Sequence, residues 1–367
     1  MNRAATWAQA RRILCIRLDN LGDVLMSTPA MRALKALDGN PELTLLASSA
    51  GAAAAPFLAE IDHVLRYDAA WVSNGATGNQ QDLDMVARLR AGHFDAAAIF
   101  TVYSQSALPA ALLCHLAGIP RVLAHSRENP YRLLTDWLRD REPEAGVRHE
   151  VQRQLDLVAA VGACTADRSL GWRVRPADRA ALGRRLQAAG IAETGGWIAL
   201  HSGASAASRR YPAARYAEAA AALRGEGRRI LLLGTAAERG LQGALATWRH
   251  AMPGAVDLCG ELSLGELAAA IEGAAVLICN NSGPAHIAAA LDVPVVDLYA
   301  LTNPQHTPWQ VASKVLYHDV PCKYCYRSVC PQGHHACLAK VEPARVAQAA
   351  RELLAQRRPA LPAHAAA

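Results

Sequence analysis

The chemistry in this chain is concentrated in a few short polar stretches. Residues 18–23 (LDNLGD) carry Asp19, Asn20 and Asp23 directly after an apolar run. A carboxylate at such a place can serve as general base toward a hydroxyl. The plainer alternative is that Asp19 or Asp23 caps the helix that follows. Residues 201–205 (HSGAS) join Ser202, Gly203 and Ser205. Small residues there let backbone N–H groups approach an anion, and the hydroxyls add donors. Arg209 and Arg210 follow, just before Tyr211 and Pro212. Paired guanidinium forks suit a diphosphate, although solvated arginines beside an ordinary turn would read the same way. Glu238 comes four residues after Gly234 at a helix start. It could bind ribose hydroxyls or simply complement the helix dipole. In residues 279–286 (CNNSGPAH) a buried run breaks into the turn Asn281-Ser282-Gly283, with Pro284 in the first helical turn. That turn is a candidate phosphate site at a positive helix end, and His286 either shares it or is structural.

Cys322, Cys325, Cys330 and Cys337 form a C-x2-C-x4-C-x6-C segment. Thiolates at this spacing can hold a structural zinc or iron. The last interval contains His334 and His335 and matches no standard zinc ribbon. Reduced structural thiols are the alternative, and a cytoplasmic setting disfavours disulfides. Residues 121–153 hold many arginines and carboxylates, Glu150 among them. They read as a solvated helical surface, or as one with some arginines turned toward an anionic ligand.

The elements that must position these residues alternate. Apolar runs at 12–17, 43–47, 64–67 and 96–100 read as strands, with helices at 24–37 and 82–91. Thr28-Pro29 would restart or kink the first of these helices. Residues 73–81 are a polar loop. The pattern resumes with strands at 197–201, 229–233, 256–258, 275–279 and 295–299, separated by helices at 213–223, 238–248, 264–271 and 283–291. A helix at 178–189 leads into this half and a last one spans 343–356. Strands alternating with helices predict an α/β fold with two doubly wound parallel sheets. Each should bind its ligand at the carboxyl ends of its strands.

The chain has 367 residues, 52% of them hydrophobic, and a formal net charge of +6. Such a length predicts about two domains. No apolar stretch approaches the roughly 20 residues of a spanning helix, and no signal peptide is evident. The expectation is a soluble cytoplasmic protein. The modest positive charge allows anionic substrates or a peripheral membrane contact, and sparse aromatics give no sign of a nucleic-acid platform. The absence of GxxxxGK[ST] and GxGxxG argues against a P-loop enzyme or a classical dehydrogenase.

Taken in order, RLDNLGDVLMSTPAMRAL, HSGAS with RRYP, LLLGTAAE, NNSGPAHIAAALDVPVV and the four-cysteine segment resemble glycosyltransferase family 9, the lipopolysaccharide heptosyltransferases. The resemblance implies a GT-B fold of two Rossmann-like domains facing a cleft. Residues 1–173 would bind the acceptor and 174–343 the nucleotide-sugar donor. A helix over 344–357 would pack back on the N-terminal domain, and 358–367 would be a disordered tail. It further implies an inverting transfer of heptose from an ADP-heptose donor to the anionic inner core of lipopolysaccharide, at the cytoplasmic face of the inner membrane. No cofactor is required for catalysis. Asp23 would be the base and Arg209 the residue on the donor phosphates, with Arg210 its rival. Ser202, Gly203, Ser205, Glu238, Asn281, Ser282, Gly283 and His286 would line the donor. Many members have Asp where this chain has Asn281, which bears on the donor sugar. A same-family enzyme for a protein or small-molecule acceptor, and a silent nucleotide-sugar-binding protein, are the alternatives.

Overall fold

The computed structural model describes residues 7–72, 78–191, 195–224, 226–241 and 255–356. The expected tail, the first five residues of the 73–81 loop and most of the helix expected at 238–248 lie outside these residues. The chain divides into two compact units, one of Met1–Arg173 with Asn303–Trp309, the other of Val174–Thr302 with Gln310–Ala367.

The first unit holds strands β1 (Arg12–Arg17), β2 (Glu42–Ala47), β3 (His63–Arg66), β4 (Ala96–Ile99), β5 (Val122–Ser126) and β6 (Asp136–Arg139). All pair in parallel in the order β3-β2-β1-β4-β5-β6. The central strands RILCIR and AAAI are covered on both faces, hence their unbroken apolar runs. Helices α1 (Leu21–Lys35), α2 (Ser49–Ala52), α3 (Asn79–Ala91), α4 (Leu108–Ala117) and α5 (Glu150–Ala159) flank the sheet. Pro29 does not break α1. Proline lacks the N–H that would bond the carbonyl of Leu25. The Thr28 hydroxyl donates to that carbonyl instead, at 2.6 Å, and accepts the Gly171 N–H at 2.7 Å.

The second unit repeats the plan. Its strands are β7 (Trp197–His201), β8 (Ile230–Leu233), β9 (Val256–Asp257), β10 (Ala274–Asn280), β11 (Val295–Leu298) and β12 (Ser313–Leu316). They run β12-β11-β10-β7-β8-β9, all parallel. Counted from its own first strand, this is the same 3-2-1-4-5-6 order as in the first unit, so both units are Rossmann-like, the pair of α/β units a GT-B fold requires. The helices are α6 (Pro176–Ala188), α7 (Ala213–Arg224), α8 (Ala236–Leu241), α9 (Leu264–Glu272), α10 (Gly283–Ala290), α11 (Ala336–Ala339) and α12 (Pro343–Gln356).

The terminal helix, expected to pack on the N-terminal domain, is grouped with the second unit. Val346, Ala347, Ala349, Ala350 and Leu353 of α12 are buried in the core of the second unit, with Tyr216, Leu223 and Val296. The small alanine face lets the helix lie close on α7 and on β10, β11 and β12, where it covers apolar surface of its own unit. Among the described residues no helix is long and apolar enough to cross a membrane.

Candidate functional site

In a doubly wound sheet, neighbouring loops diverge where the strand order reverses, and a crevice opens outside the carboxyl ends. In the first unit that point lies between β1 and β4. The turn after β1 delivers Asp19 and Asp23 there. Arg17, the last residue of β1, is fully buried and meets three carboxylates. Its Nη1 lies 2.7 Å from Glu150 Oε1, its Nη2 3.2 Å from Asp23 Oδ1 and its Nε 3.0 Å from Asp19 Oδ2. Those carboxylates hold Arg17 charged and its pKa raised, against the desolvation that would lower it. Asp23 Oδ2 also accepts the Asn20 N–H at 3.1 Å, completing a capping box for α1. The capping and functional readings of Asp23 are therefore compatible, because a carboxylate has lone pairs beyond these two contacts. Asp19 accepts from Gln105 Nε2 at 2.6 Å. Burial raises its pKa, with Arg17 opposing and Asp23 adding to the rise. Asp19 also lines a cavity of about 280 Å³ at the ends of β1 and β4, with Trp71, Ser104 and Gln105.

Two members of this cluster were not legible in the sequence as site residues. Glu150, the first residue of α5, belongs to the stretch expected to be solvated surface, yet it is 1% exposed. His306, in the short helical turn Pro304–His306, places Nε2 4.0 Å from Glu150 Oε2. The expectation of a solvated surface over 121–153 fails at Arg153 as well. Arg153 is buried and bonds Asp140 and Glu142, while the partly exposed Arg148 pairs with Glu142 and Asp156. A buried arginine persists only when paired, and Arg153 is committed within the fold.

In the second unit the strand order reverses between β7 and β10. Asn280, the last residue of β10, has no exposed surface and ties the neighbouring loops together. Its Oδ1 accepts the Tyr211 N–H and the Tyr216 hydroxyl, each at 2.9 Å, and its Nδ2 donates to the Ser202 carbonyl at 2.7 Å. Sequence reasoning passed over it beside Asn281; only its contacts distinguish the two. Gly203 sits directly under Glu238: an added Cβ would lie 1.7 Å from Glu238 Oε1, so any larger residue would displace the Glu238 carboxylate from its present place. Glu238 Oε2 accepts the Thr235 N–H at 2.7 Å and lies 3.7 Å from Nε2 of His201. Glu238 thus caps the start of α8 while its carboxylate faces the Ser-Gly turn. Ser202, Gly203, Arg210 and Glu238 line a cavity of about 250 Å³ together with His335. A larger cavity, of about 760 Å³, lies away from all these residues, beside the start of β7.

The two arginines separate. Arg210 folds back on its own loop, donating from Nε to the Ala204 carbonyl at 2.8 Å. Arg209 Nε is buried without a hydrogen-bond partner, and among the described residues no carboxylate pairs with this cation. Ser205 is exposed. Ser282 is the N-cap of α10 and Gly283 its first residue. Asn281 and His286 are buried, at 4% exposure each. Asn281 Nδ2 donates to Asp297 Oδ2 at 3.0 Å. This contact turns its amide nitrogen toward β11. Asp297 is itself buried in β11, and desolvation pushes its pKa up to about 7.

Cys322, Cys325, Cys330 and Cys337 are free thiols that line one cavity of about 20 Å³ with His334 and His335. Cys322 Sγ is 3.7 Å from His334 Nε2. The donor types suit zinc or iron. Among the described residues, however, no three such side chains converge in a metal-holding arrangement. The segment also braces the arginine loop. Ser208 donates through Oγ to the Arg327 carbonyl at 2.6 Å and through N–H to the Ser328 carbonyl at 3.1 Å. His335 Nε2 lies 2.8 Å from the Ser208 carbonyl.

Comparison with known proteins agrees with this picture. Residues 83–336 match the family model described as glycosyltransferase family 9 (heptosyltransferase). Lipopolysaccharide heptosyltransferase 2 of Salmonella typhimurium is 31% identical over 157 residues, which is 41% of this chain and 44% of that protein. The chain thus spans less than half the length of the curated relatives it matches. Two solved structures share the fold. A glycosyl transferase family 9 protein from Veillonella parvula superposes with a TM-score of 0.75 at 21% identity, over 95% of this chain and 98% of that one. The E. coli ADP-heptose LPS heptosyltransferase II gives 0.73 at 23% identity, over 94% and 99%. With a family model matched over most of its length and the same fold in both units, the chain belongs to glycosyltransferase family 9.

Proposed function

We propose that this chain is an inverting glycosyltransferase that transfers heptose from an ADP-heptose donor to the inner core of lipopolysaccharide. The observation that carries the reading is the placement of two unlike polar sets at equivalent switch points. One is rich in carboxylates, and the other offers a helix N-terminus, a Ser-Gly turn and an uncommitted arginine. The first set suits activation of a hydroxyl and the second suits a diphosphate.

In the proposed mechanism Asp23 takes the proton of the acceptor hydroxyl as its oxygen attacks the anomeric carbon. The bond to the diphosphate breaks with inversion. Arg209 and the Ser282–Gly283 end of α10 stabilise the departing charge. Glu238 over Gly203 accepts from the ribose hydroxyls, and Ser202 and Ser205 lend donors beside them. Arg210 shapes the loop that carries Arg209. Asn281 acts from behind through Asp297, and His286 supports the turn from within α10. The segment of Cys322, Cys325, Cys330 and Cys337 braces the arginine loop through Arg327 and Ser328; were a structural zinc or iron held there, no step of the reaction would run through it. The acceptor is anionic, and the protein works peripherally at the cytoplasmic face of the inner membrane. Residues 1–173 take the acceptor.

Asp19 is the second reading for the base, because it lines the cavity at the ends of β1 and β4 and burial raises its pKa. Asp23→Asn and Asp19→Asn, assayed with ADP-heptose and a lipopolysaccharide-core acceptor, separate the two. The base variant loses roughly 10²–10⁴-fold in turnover with donor affinity held. If Asp23→Asn keeps more than about a tenth of wild-type turnover, the role passes to Asp19. If both keep it, the mechanism is wrong.

A further inference from the structure

Three carboxylates surround one guanidinium at the end of β1, and they are not equivalent. Glu150 makes the shortest contact, 2.7 Å, and its side chain is 2% exposed. Asp19 and Asp23 stand at 3.0 and 3.2 Å, with side chains 13% and 19% exposed. A general base needs access to substrate, and Glu150 has none. What it has is a fixed hold on Arg17. Its Oε1 also accepts from Gln154 Nε2 at 2.7 Å, and its Oε2 faces His306.

An unshared arginine beside a carboxylate makes that carboxylate a poor proton acceptor, because it favours the charged form. Here the positive charge is divided among three anions, which leaves the group with a net excess of negative charge (three carboxylates to one guanidinium). We propose that Glu150 is a positioning residue for the reaction: by holding Arg17 and by its own negative charge, it preserves the proton-accepting power of Asp23 and Asp19. The charged and titratable groups facing this cluster are Arg17 from β1, Asp19 from the following turn, Asp23 from α1, Glu150 and the adjacent His149 from the start of α5, and His306 from the 303–309 segment. Gln105 contributes a neutral donor to Asp19. The inference rests on the proposed function only for the reaction it serves; the electrostatic part stands alone.

Glu150→Gln tests it. Glutamine keeps an acceptor for Arg17 and removes the charge, so Arg17 falls to the two aspartates. In the full-length protein labelled with [4-¹³C]aspartate, the carboxyl midpoints of Asp19 and Asp23, assigned with Asp→Asn variants, should move down by about one pH unit. The acid limb of kcat/KM should move the same way, with plateau kcat severalfold lower and donor KM unchanged. A Glu150→Gln protein that melts like wild type with unmoved or raised midpoints overturns the proposal. If Glu150→Gln does not fold, Glu150→Asp retracts the same charge by one methylene and should give a smaller shift of the same sign; no shift there also overturns it. Lowered midpoints in a protein that transfers no sugar would refute the proposed function and leave the role of Glu150 standing.

Discussion

Asp297→Asn offers a sharp test of how the floor of the second unit is built. Asp297 sits in β11 with no exposed surface. One of its oxygens accepts from Asn281, and the other has no hydrogen-bond partner. A buried anionic oxygen without a partner is costly, and burial accordingly raises the pKa from 3.8 to about 7. A carboxyl with a raised folded pKa favours the fold in its protonated form. Below about pH 4 both the folded and unfolded chains are protonated there and nothing is lost. As pH climbs toward 7 the unfolded chain ionises freely while the folded one resists, and stability falls. A rise of about three units corresponds to about 4 kcal/mol at most, fully lost above pH 7. Asparagine cannot ionise and still accepts from Asn281. The variant should match wild type within about 1 kcal/mol near pH 4.5 and exceed it by about 2–4 kcal/mol at pH 8.5. Urea unfolding at a series of pH values reads this directly, since other titrating groups cancel in the difference. A difference that is flat with pH, or a variant less stable at pH 8.5, would refute the reasoning.

The arginine pair predicts a split. Arg209→Ala should weaken ADP binding by calorimetry about tenfold or more and lower turnover, because a charge-assisted contact to phosphate is lost. Arg210→Ala should instead lower the melting temperature by a few degrees with a smaller change in ADP binding, since its guanidinium holds the Ala204 carbonyl. For the cysteine segment, whose thiols and histidines do not converge in a metal-holding arrangement among the described residues, elemental analysis of reduced, purified protein should find well under one equivalent of zinc or iron; about one equivalent would instead make the cysteines ligands. Near-zero metal would leave the four thiols as bracing for Ser208 alone.

Much of this architecture is local and could be read from the chain. The strands RILCIR and WIALH are short apolar runs closed by polar turns, and both occur where expected. The turns after them and after β10 carry the chemistry, because a doubly wound sheet exposes only the loops at its strand ends. Less legible were β5, β6 and β12. VLAHS, DWLR and SKVL mix polar and apolar residues near the sheet edge, so their periodicity is weak.

What remained undecided in the sequence depends on distance along the chain. Glu150 and Arg17 are 133 positions apart, and no local pattern marks a carboxylate that will be buried against a distant arginine. His306 reaches the same cluster from a segment grouped with the first unit although it follows most of the second. Arg209 and Arg210 are neighbours of one type; the loop's fold alone sends Arg210 to its own carbonyls and leaves Arg209 uncommitted. The face of α12 was legible as apolar, but the surface it would cover was not. Residue type and period determine which element forms and which face it must bury. Which partner it meets is set by long-range closure of the sheets, an energy shared among many residues and written in no single stretch of sequence.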